Sequence, residues 1–119
     1  MVLQDRLRDA LGADAVKTEL EDLSVYSFDA YSQSRTPSAV VLPASARDVG
    51  AAVRIARECD EPIVARGAGT GLCGGAVPAK GGVVLSFARM NRILELDARN
   101  RRVRVQPGLI NLDLSKKVA

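Results

Sequence analysis

Arg66-Gly67-Ala68-Gly69-Thr70-Gly71-Leu72-Cys73-Gly74-Gly75 follows directly on Pro62-Ile63-Val64-Ala65, a short apolar run that reads as a buried strand. Half of the chain's 10 glycines fall in that stretch. Without a Cβ, glycine admits φ > 0 and lets backbone N–H groups approach a ligand, at a cost in chain entropy. Successive amides in such a loop form a concave anion nest, so the cluster points to a row of donors holding a diphosphate. The alternative is a flexible surface loop, which ordinarily mixes Ser, Asn or Lys among its glycines.

Gly69-Thr70-Gly71-Leu72-Cys73-Gly74 has the G-x-G-x-x-G spacing. That fingerprint works by opening a helix whose N-terminus faces the pyrophosphate. Residues 74–82 hold Gly74, Gly75, Pro78, Gly81 and Gly82, a composition that no helix survives. No glycine is followed by Lys and Ser or Thr, which excludes a P-loop. Ala76 stands where the protein-kinase glycine loop needs Val. The anion is therefore held by loop amides alone.

Upstream, Ala39 to Leu42 reads as a buried strand stopped by Pro43. Ser45 caps a helix with Asp48 three residues on, an acidic relative of the capping box, and Val49, Ala52, Val53 and Ala56 form its apolar stripe. With Ile63 to Ala65 this is a β-α-β unit, and a crossover of that length implies a right-handed parallel pair. Downstream, Val83 to Phe87 is a buried strand. Ile93 to Asp97 and Arg102 to Gln106 alternate as a hairpin across Ala98-Arg99-Asn100-Arg101, with Val103 and Val105 facing in and Arg102 and Arg104 solvated. Pro107-Gly108 then turns into a helix for which Asn111 is the expected N-cap.

Pro37-Ser38-Ala39-Val40-Val41-Leu42-Pro43, the helix, Pro62 to Pro78 with the glycine cluster, Leu85-Ser86-Phe87-Ala88-Arg89-Met90-Asn91-Arg92-Ile93 and Val105-Gln106-Pro107-Gly108 occur in order over residues 37–117. This succession resembles the FAD-binding domain of the vanillyl-alcohol oxidase and p-cresol methylhydroxylase superfamily, in the branch of the glycolate oxidase D-subunit and D-lactate dehydrogenase. The resemblance implies an α+β fold: the N-terminal half of a PCMH-type domain, with a β-α-β unit, a glycine-rich pyrophosphate loop, then mainly antiparallel strands. It also implies that Arg66, Gly67, Ala68, Gly69, Thr70, Gly71 and Leu72, with Gly74 and Gly75, wrap the FAD pyrophosphate, and that Pro43 lies near the adenine. Cys73 departs from the Ser or small apolar residue expected there, at similar size.

Leu3, Leu7 and Leu11 recur every four residues and Gly12 follows, which marks a short amphipathic helix with a glycine stop. A polar helix or turn covers about residues 19–26, and Ser32 to Pro37 is loop-like. Residues 1–36 are accordingly read as a helical packing arm and 37–119 as an incomplete FAD-binding domain. Tyr26, Asp29 and Tyr31 are read as surface or packing residues.

At 119 residues the chain is one domain, and its 47% hydrophobic share is that of a globular protein. A net charge of +3 is scattered among acids as in Asp5-Arg6 and Arg57-Glu58, and aromatic residues are too few to stack bases. Nucleic acid is not an expected partner. Cys59 and Cys73 lack metal-ligand spacing and there is no histidine, so no metal is expected. No signal sequence or membrane-length apolar run occurs. The expected compartment is the cytoplasm, with peripheral membrane association left open.

Oxidation of a 2-hydroxy acid needs a base for the hydroxyl proton and cations for the carboxylate. Arg66 is assigned to the diphosphate, and Arg89 and Arg92 flank a strand end, so no catalytic residue is assigned. The expectation is an FAD-binding fragment of a flavin-dependent D-2-hydroxy-acid oxidoreductase: a truncated product, the product of a split gene or a fragment solved on its own. Its partners would be FAD and the missing C-terminal part or other subunits of an oxidase complex. The competing expectation is a stand-alone nucleotide- or phosphate-binding module without redox chemistry.

Overall fold

The computed structural model describes residues 2–26, 36–68 and 81–119. In chain order the elements are α1 (Val2–Leu11), a 3-10 turn (Ala13–Ala15), β1 (Val16–Lys17), α2 (Leu20–Ser24), β2 (Ala39–Val41), α3 (Ala46–Glu58), β3 (Ile63–Arg66), β4 (Val83–Ser86), β5 (Ile93–Asp97), β6 (Arg102–Val105) and α4 (Asn111–Val118).

The main sheet has the order β1-β2-β4-β3, with β4 parallel to both β2 and β3 and β1 antiparallel at the edge. This corrects the expected β2–β3 pair: the two strands run the same way, but β4 lies between them. After the loop the strands are mainly antiparallel, as expected, in the β5–β6 pair, and β4 is parallel. Its four residues are all buried, as befits a central parallel strand covered on both faces.

Alternation along the strands assigns those two faces. Ala39, Val41, Val83 and Leu85 join Ala52, Ile55 and Ala56 of α3 and Leu3 and Leu7 of α1 in the larger core cluster. Val40 and Val84 face the other way and pack with Leu23 of α2, Leu42 and Tyr26. Each core leucine removed from water contributes roughly 2 to 3 kcal/mol.

The arm thus shares a core with the sheet, through α1 and through Ala15 and Val16. Its surface ties are Gln4 Nε2 donating to the Ser38 carbonyl at 2.8 Å, an Arg6–Glu58 ion pair, and Arg89 Nη2 donating to the Asp14 carbonyl at 3.0 Å. Gly12, at φ 90°, ends α1 as expected and donates to the Arg8 carbonyl at 2.8 Å.

At the head of α3, the Asp48 N–H donates to Ser45 Oγ at 3.3 Å, and the Asp48 carboxylate accepts from the Ala44 N–H at 3.1 Å. The apolar stripe is corrected at one place: Val53 is 39% exposed and Ile55 occupies the core instead. The β5–β6 hairpin pairs Leu96 with Val103 and Asp97 with Arg102, with a register shift between Ile93 and Glu95. Its expected inner face is not covered, since Leu96, Val103 and Val105 are all exposed. The expected N-cap of α4 is also shifted: Ile110 takes that place without a side-chain bond, and Asn111 is the first helical residue.

Candidate functional site

In the parallel register Val41 and Ala65 both lie opposite Leu85. Two residues further on, Pro43, Gly67 and Phe87 therefore reach the same level at the C-terminal edge of three parallel strands, the edge where open α/β sheets bind ligands. Two strand spacings separate the β2 and β3 ends, about 10 Å. Pro43 itself is fully buried at that edge.

β3 and β4 are adjacent and parallel, so they connect from the C-terminal end of one to the N-terminal end of the other. Hydrogen bonds pin the strand ends on both sides of this connection. At its start the Phe87 N–H donates to the Arg66 carbonyl at 3.0 Å; at its return Val83 N–H donates to the Pro62 carbonyl at 2.8 Å and Ser38 N–H to the Gly82 carbonyl at 2.7 Å. Gly82 sits at φ +81° with Pro62 so close that a Cβ would lie 2.6 Å from the proline Cγ, so only glycine serves here.

A second wall comes from the hairpin. Gln106 and Arg92 clamp its base, with Gln106 N–H donating to the Arg92 carbonyl at 2.9 Å and Arg92 N–H to Gln106 Oε1 at 3.0 Å. The next turn carries Gly108, whose N–H donates to the Met90 carbonyl at 2.8 Å. Its backbone is pressed so closely on the Phe87–Met90 turn that a Cβ would overlap the Phe87 carbonyl. This contact brings the start of α4 beside Gly67 and Ala68. Gly67, Ala68, the Pro107–Gly108 turn and the first turn of α4 enclose a cavity of about 330 Å³. A smaller one of about 140 Å³ adjoins it, where Asn91 and Asp113 add polar side chains.

The donors fit a diphosphate. Among the described residues no group accepts a hydrogen bond from the amides of Gly67, Ala68, Asn111 or Leu112. A Cβ placed on Gly67 would meet nothing within 4 Å, so space lies open before the loop. A helix N-terminus adds a partial positive charge to the same cavity. Among the described residues Asp113 is the carboxylate that lines these cavities.

Of the residues expected to bind the cofactor, the structure brings Arg66, Gly67 and Ala68 to this edge. Gly69, Thr70, Gly71, Leu72, Gly74 and Gly75 lie outside the described residues. The Arg66 side chain is only 9% exposed, on the α2 face of the sheet, with its guanidinium carbon 5.4 Å from the centre of the Tyr26 ring. Sequence reasoning gave no site role to Gly108, Asn91 or the first turn of α4. The available signal was a Pro-Gly pair placed directly after an alternating strand. Among the described residues no helix is long and apolar enough to cross a membrane.

Residues 37–119 match the FAD binding domain family. The chain is 46% identical over 95 residues to the glycolate oxidase subunit GlcD of Bacillus subtilis, covering 79% of this chain and 20% of that protein. It is 43% identical over 109 residues to GlcD of Escherichia coli, covering 91% of this chain and 22% of the relative. Among solved structures, p-cresol methylhydroxylase with substrate bound superposes with a TM-score of 0.84 at 26% identity, over 98% of this chain and 24% of that one. The chain spans about a fifth of the length of the curated relatives it matches. Amides without acceptors among the described residues at the C-terminal edge and a family match through the whole of β2 to α4 agree, and the chain belongs to the FAD binding domain family, with FAD as its cofactor.

Proposed function

We propose that this chain is the diphosphate-holding portion of a flavoenzyme that oxidises a D-2-hydroxy acid of the glycolate or D-lactate type. The observation that carries the reading is the cavity of about 330 Å³ at the sheet edge, where the amides of Gly67 and Ala68 and those of the first turn of α4 lack acceptors among the described residues. The substrate class rests on the glycolate oxidase subunits at 46% and 43% identity.

When bound, FAD supplies the acceptor for a hydride from the carbon bearing the hydroxyl, and loss of the hydroxyl proton completes the 2-oxo acid. The chain's own part is to hold and orient. In this reading Gly67 and Ala68 donate their amides to the diphosphate, Gly69, Thr70, Gly71, Leu72, Gly74 and Gly75 serve it as well, and Arg66 contributes positive charge. Gly108 sets the opposite wall. No residue here is assigned to proton transfer: the chain has no histidine, and Arg89 is engaged by the Asp14 carbonyl. The enzyme works in the cytoplasm, and the chain's partners include other subunits of an oxidase complex.

Calorimetric titration of the chain with ADP, FAD and riboflavin tests this. ADP is expected to bind nearly as well as FAD, with dissociation constants from about 10 to several hundred micromolar, or roughly 5 to 7 kcal/mol; riboflavin is expected not to bind. Gly67→Ala has room for its methyl in the free protein, so it should leave the melting temperature unchanged and weaken ADP at least tenfold. Riboflavin binding that survives Gly67→Ala and Gly69→Val would put the cofactor elsewhere.

A further inference from the structure

The net charge of the chain is not spread evenly over the fold. Residues 93–119 hold six basic and three acidic side chains, which account for the whole excess of +3. Seven of the eleven large apolar residues that stand exposed among the described residues lie in the same stretch, and none of the described residues beyond Phe87 belongs to either core cluster. Among the described residues the β5–β6 hairpin is a two-stranded sheet open on both edges, and two strands alone are marginal in water.

The outer edge of β6 presents two unlike faces. Successive side chains alternate, so Arg102 and Arg104 share one face with their register partners Asp97 and Glu95, and Val103 shares the other with its partner Leu96. On the charged face Arg102 meets Asp97 only at 4.0 Å, with 76% of its side chain exposed, and Arg104 has no ion pair among the described residues. On the apolar face a groove of about 290 Å³ runs between Leu96 and Val103 of the hairpin and Leu114 and Val118 of α4. Along the edge itself, alternate N–H and C=O groups of β6 point away from β5.

We infer that the outer edge of β6 is a strand-addition site for a polypeptide segment that alternates acidic and apolar residues. Such a segment pairs its carboxylates with Arg102 and Arg104, lays its apolar side chains over the groove and takes up the edge amides. Each arginine then stands between a carboxylate of β5 and one of the added strand. A second copy of this chain does not fit. Any antiparallel register of β6 against itself that keeps valine with valine sets arginine opposite arginine, and a one-residue slip turns valine onto the charged face. An anionic membrane would meet the arginines but would leave the edge N–H and C=O groups without partners in hydrocarbon. This edge is separate from the cavities beside Gly67, which none of these residues lines.

The test titrates the 119-residue chain with a fluorescent, end-blocked peptide in which Glu alternates with Val over about eight residues, read by anisotropy, beside a Lys–Val peptide of the same length. The Glu–Val peptide is expected to saturate below about 1 mM, about tenfold tighter than the Lys–Val peptide, and added salt should weaken it. Methylating one alternate set of its amide nitrogens should abolish binding, and methylating the other should be tolerated, because only one set faces the edge of β6. Arg102→Glu together with Arg104→Glu should reverse the preference between the two peptides with the melting temperature kept. If that variant does not fold, the methylated peptides carry the test on the unaltered protein. The inference is overturned if the Glu–Val peptide does not bind, if the Lys–Val peptide binds as tightly, if the two methylated peptides behave alike, or if a folded charge-reversed variant keeps the wild-type preference. Capture by phosphatidylglycerol vesicles without peptide binding would assign the face to a lipid surface, and a dimer in light scattering that the peptide fails to displace would assign it to a second copy; either result rejects strand addition.

Discussion

Gly108→Ala should be among the most damaging single-methyl changes in this chain. An added Cβ would lie 2.6 Å from the Phe87 carbonyl carbon and 2.9 Å from the Met90 oxygen, closer still to the Phe87 oxygen, and all of these are backbone atoms. Backbone cannot turn aside as a side chain can, so the Pro107–Gly108 turn must retreat and the 2.8 Å bond from Gly108 N–H to the Met90 carbonyl breaks. Overpacking of this kind costs roughly 1 to 3 kcal/mol, and the lost bond about 1 kcal/mol more. At about 4 °C per kcal/mol for a chain of this size, melting should fall by roughly 8 to 16 °C. Because the same turn walls the cavity, ADP affinity should fall with it. Gly50→Ala is the control: it sits inside α3 with nothing within 4 Å of its would-be methyl, and should stabilise by roughly 0.5 to 1 kcal/mol through helix propensity. Thermal melts followed by circular dichroism compare the three proteins. A Gly108→Ala chain melting within 2 °C (about 0.5 kcal/mol) of wild type would refute the close approach on which the second wall depends.

Two further outcomes follow from the helices. The hydrogen bond from Arg6 holds the Glu58 carboxyl below its usual range, so the stabilisation is present above the ordinary glutamate pKa and is lost as pH falls through the lower folded value; between about pH 5 and pH 3 the wild type should lose more melting temperature than Glu58→Gln, and parallel curves would dismiss the pairing. Ser45→Ala removes the oxygen that accepts from Asp48 N–H and should cost about 1 kcal/mol, or roughly 4 °C; an unchanged melt would show that the Asp48–Ala44 bond caps α3 alone.

Much of the fold was legible because its signals are local. The four-residue spacing of Leu3 and Leu7, the Ser45–Asp48 cap and the alternation of Arg102 to Val105 each fix an element from its own neighbours. What was not legible depends on partners distant in the chain. Nothing in Val16-Lys17 marks a strand, since two residues acquire that state only by pairing with Val40 and Val41. The place of β4 between β2 and β3 is likewise a choice of neighbour, and a continuous apolar run says only that both faces will be covered. Val53 and Ile55 stand about 200° apart around the helix, on opposite borders of the apolar stripe, so which of them is buried depends on how α3 is rotated against the sheet, and its own sequence does not set that.

The site divides along the same line. A glycine cluster after a strand announces its chemistry without any fold, because φ > 0 and close approach are properties of single residues. The opposite wall announces nothing by itself: Gly108 becomes necessary only when the Phe87–Met90 turn is laid against it, and the amides of Asn111 and Leu112 matter only once that contact has turned α4 toward Gly67. The arm shows the stronger form of the dependence. Tyr26 read in sequence is one aromatic residue in a polar stretch, and packing was the economical reading. Two strand registers and one helix place its ring against the guanidinium that begins the loop.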